Sequence, residues 1–198
     1  MITVADLRAA SLRLKDAMEA EADTLNSADG ALGDGDLGIT MRSGSRAVAE
    51  KAPDLPDDFG MALMGCAQAF MKVSSSSYGT LLATGLMAAA RETKGRDAIN
   101  AAELPDLLHA ARDKMMARGK AELGGKTVLD SLDAIATALE GAKDPAAAAV
   151  AAAHDAQIAF RDKPATIGRA RIFAEKSVGM DDPGMLAMTK IVQALTGR

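Results

Sequence analysis

Tryptophan is absent from this 198-residue chain, which holds one tyrosine, four phenylalanines and one cysteine. With aromatics at 3% and β-branched residues sparse, a sheet-built fold is disfavoured. The lone Cys66 excludes an internal disulfide and fits a reducing compartment; its apolar surroundings read as core. No apolar run reaches 18 residues, and MITVADLRAA lacks a basic stretch followed by an apolar one, so neither a membrane span nor a signal peptide is expected. A net charge of −4 argues against nucleic acid or an anionic membrane as the main partner. The two histidines, His109 and His154, stand alone in predicted helices, far from metal-ligand spacing or a nucleophile. They read as ordinary helix residues.

What is present is alanine and methionine, which carry much of the 48% apolar content and favour close-packed helices. The length suits one domain spanning residues 1–198, soluble and cytoplasmic, with no repeat or linker. Thr3 and Asp6 form a capping box for a first helix, continued by Leu7, Leu14, Met18 and Leu25. Asn26 to Gly38 reads as a loop. Further helices are expected over 38–51, 58–71, 81–93, 104–118, 127–139, 145–160 and, less regularly, 167–177, with Asp182-Pro183 starting the last. About eight helices fill the chain.

The densest chemistry lies in ADGALGDGDLGITMRSG, residues 28–44. Asp29, Asp34 and Asp36 crowd together among glycines, with no basic residue between them. Such a turn is either solvated or neutralised by a cation; the spacing misses the EF-hand pattern and suits magnesium, which takes a few carboxylates and completes its shell with water and phosphate oxygens. Gly33, Gly35 and Gly38 spell G-x-G-x-x-G, but a helix precedes them where a dinucleotide fold needs a strand. Gly125-Lys126-Thr127 ends like a P-loop, yet Gly119 lies one residue too early. Four serines, Ser74 to Ser77, sit between apolar helices as an ordered turn whose hydroxyls and amides suit phosphate. Arg169 is either a surface residue or, with Asp182-Pro183-Gly184, an anchor for phosphate or sugar.

Taken in order, ADGALGDGD, SSSSYGT, RGKAELGGKTVLD, GRA and EKSVGMDDPG resemble the DhaL family, the nucleotide-binding subunit or domain of dihydroxyacetone kinases. The resemblance implies an all-α fold, a closed antiparallel barrel of eight helices with ADP or ATP at one end. It assigns two Mg2+ ions to Asp29, Asp34 and Asp36, phosphate contacts to Gly38, Ile39 and Thr40 and to Ser74 and Ser75, and places Leu37 and Thr127 among the nucleotide-binding residues. Gly119 and Val128 would border the adenine, and Arg169, Asp182, Pro183 and Gly184 would complete the nucleotide pocket. The implied partners are a DhaK-like subunit, which holds the ketose covalently through a histidine, and a DhaM-like phosphohistidine protein where ATP is not the donor. A homodimer is compatible with the resemblance. Leu37, Ser75, Gly125 and Met180 depart from the family's commonest residues, which leaves the substrate open between dihydroxyacetone and another small ketose such as a tetrulose. The alternative is a nucleotide-dependent regulatory module that transfers no phosphate.

Overall fold

The computed structural model describes residues 1–198. The Thr3 hydroxyl accepts from the Asp6 amide at 3.3 Å while the Asp6 carboxylate accepts from the Thr3 amide at 2.9 Å. This capping box starts α1 (Val4–Ala20) as expected. Only Glu21 separates α1 from α2 (Ala22–Leu32), and the ladder runs through it: Glu21 donates to Ala17 O and Leu25 to Glu21 O, each at 2.9 Å. The expected loop at 26–38 therefore shrinks to residues 33–36. Leu25 and Leu32, seven residues apart and both buried, extend the apolar stripe of α1, and that burial outweighs the turn-forming letters between them.

The remaining helices are α3 (Leu37–Lys51), α4 (Phe59–Val73), α5 (Ser77–Glu92), α6 (Leu104–Gly119), α7 (Val128–Leu139), α8 (Pro145–Arg161) and α9 (Pro183–Thr196). Helix α5 starts four residues before the expected position because Ser76 caps it, its hydroxyl accepting from Gly79 N at 3.0 Å. The expected helix at 167–177 is instead a run of 3-10 turns over Arg169–Ser177, broken at Ala174 with φ 33°. Two short strands also form: β1 (Ile2–Thr3) pairs antiparallel with β2 (Ala98–Ile99), Ile2 opposite Ile99. No helix is long and apolar enough to cross a membrane.

With α1 and α2 counted as one bent stave, each helix packs on its neighbours in sequence, and α9 packs back on α1. Eight staves joined by short connections close into an antiparallel ring. Small side chains let the staves approach: Ala62, Ala67, Ala83, Ala136, Ala153 and Ala187 are completely buried. Alanine adds no rotamer entropy to the cost of burial. Methionines Met18, Met41, Met115 and Met185 fill the remaining gaps, and Cys66 is core, its thiol pushed up to about 11 by burial.

The closest approach of α4 and α5 depends on Gly60. A Cβ there would stand 2.5 Å from both Ala90 O and Lys94 N, which are backbone atoms and cannot rotate away. Gly60→Ala gains up to about 1 kcal/mol of helix propensity but forces the two staves apart, at about 1–3 kcal/mol. The steric term wins. Thermal denaturation of Gly60→Ala should show a midpoint lower by a few degrees, roughly 2–4 °C per kcal/mol for a chain of this size; an increase would contradict this account of the packing.

Candidate functional site

In a closed antiparallel ring, alternate connections lie at the same end. The connections 33–36, 74–76, 120–127 and 162–182 therefore converge, although more than a hundred residues separate the first from the last. They bring the N-termini of α3, α5, α7 and α9 together around one cavity of about 1340 Å3. Each N-terminus presents amide donors and a partial positive charge.

The acidic cluster sits at one wall. Asp29 lies on the last turn of α2, while Asp34 and Asp36 lie in the connection, where Gly35 takes φ 77°, a conformation glycine adopts without strain. Carboxylate oxygens of the three lie within 4.8 Å of one another. Asp29 Oδ2 accepts from the amides of Asp36 (3.0 Å) and Leu37 (3.3 Å), so this carboxylate pins the start of α3. Asp34 pairs with Arg169 across the cavity. Asp36, at the N-cap of α3, makes no capping bond through its side chain. Three hard oxygen donors with one cationic neighbour fit a divalent cation, and magnesium in particular.

The other walls are capped turns. Ser75, Ser76 and Ser77 line the cavity with Tyr78, whose hydroxyl donates to Gly184 O at 3.1 Å and ties the start of α5 to that of α9. Burial drives the Tyr78 phenol far above its usual range. Thr127 caps α7, its hydroxyl accepting from Leu129 N at 3.2 Å, and Asp182 caps α9, its Oδ1 accepting from Met185 N at 2.8 Å. Arg118, Lys120 and Arg171 add positive charge to the lining.

Of the residues expected from sequence, Asp29, Asp34, Asp36, Leu37, Ser75, Gly119, Thr127, Val128, Arg169, Asp182, Pro183 and Gly184 line this one cavity. Gly38, Ile39, Thr40 and Ser74 do not. A Cβ on Gly38 would overlap Ala22 O, so its role is close packing of α3 on α2. Ile39 is exposed, with its amide donating to Asn26 Oδ1 at 3.2 Å; Thr40 is buried; Ser74 Oγ lies 3.4 Å from Ser76 Oγ. His109 contacts Arg112 and Glu140, and His154 contacts Asp155, away from the cavity. Tyr78, Arg118 and Lys120 line the cavity with no local signal that marks them, and Lys126, which by sequence belongs only to a P-loop-like ending, is buried behind the cavity with partners 35 to 51 residues away in the chain.

Residues 31–197 match the DAK2 domain family. The chain is 30% identical over 191 residues to the ADP-binding subunit DhaL of the PEP-dependent dihydroxyacetone kinase of Escherichia coli, covering 92% of this chain and 91% of that one. It is 33% identical to L-erythrulose 1-kinase of Mycolicibacterium smegmatis and 31% identical to human triokinase/FMN cyclase, covering 84% and 86% of this chain but 31% of each of those proteins. Its fold matches the dihydroxyacetone kinase of C. freundii, determined with AMP-PNP and Mg2+, at a TM-score of 0.76 and 22% identity, over 96% of this chain and 33% of that one.

Asp182 is the carboxylate of the cavity that burial alters strongly. Burial pushes its carboxyl up to about 7, only partly offset by the amides of Met185 and Gly184 and by Lys126. Unfolded, the group ionises near 3.8, so between these values the native state holds the extra proton. Its contribution to stability is full below about 4 and declines as pH rises towards about 7, by on the order of 1.4 kcal/mol per pH unit crossed. Asn can also cap a helix but carries no charge to bury. Asp182→Asn should gain stability on the wild type as pH rises from 4 to 7 in urea denaturation. Parallel pH profiles would show that Asp182 ionises without penalty.

Proposed function

The chain belongs to the DAK2 domain family, a kinase-related nucleotide-binding module, and on that footing we propose that it carries ADP or ATP with Mg2+ and donates the phosphoryl group to dihydroxyacetone or a related small ketose held by a DhaK-like subunit. The observation that supports this most is the pairing of opposite charges in one cavity: three carboxylates on one wall, and four helix N-termini with Arg118, Lys120 and Arg169 around the rest. A magnesium–nucleotide complex needs both.

Asp29, Asp34 and Asp36 would hold two metal ions, which neutralise phosphate oxygens and orient the transferred group when bound. The amides and hydroxyls at Ser75 to Ser77 face the space beside them, where they can bind phosphate oxygens. Arg169 reaches the same wall from the opposite side. Gly119, Val128, Pro183 and Gly184 offer flat, mostly apolar surface for a base. The cavity holds no histidine or cysteine, and phosphoryl transfer asks little covalent chemistry of the protein beyond positioning and charge.

Two donors fit this arrangement. Either ADP stays bound and is rephosphorylated by a DhaM-like phosphohistidine protein, or ATP exchanges from solution. Retention of ADP through dialysis, with turnover only when the phosphoprotein is present, marks the first; turnover on ATP alone marks the second. The kinases for L-erythrulose among the relatives put a four-carbon ketose within range of the substrate.

The reading is tested by calorimetry with ADP in the presence and absence of Mg2+. Binding should require the metal and weaken roughly 10- to 100-fold or more in Asp36→Asn, a variant that removes no capping bond from α3 and leaves the Asp34–Arg169 pair intact. Equal ADP affinity without metal would overturn the assignment. A mixture with a DhaK-like subunit and phosphoryl donor should yield the phosphorylated ketose, and the Asp36→Asn mixture should not.

A further inference from the structure

Residues 162–182 form the longest of the four connections at the cavity, and the least regular. Thr166 to Ile172 line the cavity, and Arg169 reaches from here to Asp34. Little apolar packing supports the segment: Leu32, Ala165 and Ala170 form a small cluster apart from the main core. What closes its neck is a cation. Lys126 is 1% exposed, and its Nζ donates to the carbonyl oxygens of Arg161 (2.8 Å), Lys163 (2.8 Å) and Ser177 (2.7 Å). Two of these acceptors lie where the segment leaves α8 and the third where it returns. All three ammonium protons are used, and no carboxylate pairs with the group.

We propose that Lys126 is a positioning residue that clamps this segment shut at its neck and thereby holds Arg169 at the cavity. The proposal rests on the nucleotide reading only for its consequence, not for the clamp itself. Neighbouring contacts share the geometry. Gly125 O accepts from Thr166 N at 3.3 Å, and Gly179 N donates to Arg161 O at 2.9 Å. Ser177 Oγ accepts from Ala165 N at 2.8 Å. The side chain also meets the carbonyl end of α8, where a positive charge is favoured. Against this stands desolvation, which lowers the Lys126 pKa. Backbone strain adds to the cost, since Lys126 holds φ 61°. A lysine kept in a left-handed conformation inside the protein is placed there by its three acceptors.

Lys126→Gly takes the same backbone angle without strain and removes the one donor the three carbonyls share, leaving Lys163 O unpaired and Arg161 O and Ser177 O with only the Gly179 and Met180 amides. In hydrogen–deuterium exchange of the ligand-free protein, the amides of Ala165 and Gly179 should exchange roughly tenfold faster or more, with α4 and α5 unchanged. Ammonium or potassium ions, which three carbonyls can bind, should restore part of that protection, and Mg-ADP affinity should fall about tenfold. Unchanged protection at 163–179, or equal loss throughout the barrel, overturns the clamp. If protection is lost as expected while the wild type binds no ADP, the clamp stands and the nucleotide reading falls. Acetic anhydride labelling of the wild type gives an answer even if the variant does not fold. Lys126 should react roughly tenfold or more slowly than the exposed Lys143, and more slowly still with Mg-ADP; reactivity equal to that of Lys143 overturns the proposal.

Discussion

Convergence of four helix N-termini on one cavity is the constraint on which the rest of this structure depends. It follows from parity: an even number of antiparallel staves closing on itself places every second connection at the same end. The positive ends of α3, α5, α7 and α9 then share a space that repels cations and attracts anions. Three aspartates on one wall reverse that preference locally, and they repel one another. Their charge is balanced in part by the amides of Asp36 and Leu37 on Asp29 and by Arg169 on Asp34. The cavity is thus divided into an acidic wall and a basic remainder, a separation that a bound metal–phosphate complex would complete.

Closing the ring demands close approach, and close approach demands small residues. Buried alanines and Gly60 do on the staves what bulky aromatics do in other cores. The scarcity of aromatic residues fits this packing, since a large ring at Gly60 would prise the staves apart. Gly44 is the instructive exception: the Phe70 ring occupies the space a Cβ would need there, so one of the few aromatics is accommodated by a glycine on the facing stave.

Much of the site was legible because its signals are local. Capping residues at Thr3 and Asp182 sit within three residues of what they bind, and the three aspartates fall within one short stretch. Once the elements alternate around a ring, the turns that carry these residues must meet. What stayed hidden depends on distant partners or on competition between local rules. Asp29-Gly30 reads as a turn, yet Leu32 continues the buried stripe and keeps α2 helical through both residues. Gly38 sits in a phosphate-binding context by sequence, but its missing side chain serves the contact with Ala22. The helical reading of 167–177 holds only as 3-10 turns broken at Ala174, because the segment packs on α2 through a small cluster alone and its ends are tied by the Lys126 ammonium.

Lys126 shows why a charge can occupy a position that hydrophobic packing alone would give to an apolar residue. A methionine would fill the space and avoid the desolvation of an ammonium. It would also leave the carbonyl of Lys163 without its donor, at about 1–3 kcal/mol if shut off from water, and strip one of two donors from those of Arg161 and Ser177. Lys163 O is free because it lies beyond the end of α8, while Arg161 O and Ser177 O, which accept from the amides of Gly179 and Met180, have room for a second donor. One side chain with three donors satisfies all of them at once. An irregular segment that must stay at the mouth of a cavity, with little core to rest on, is better held by a buried cation than by a buried methyl group.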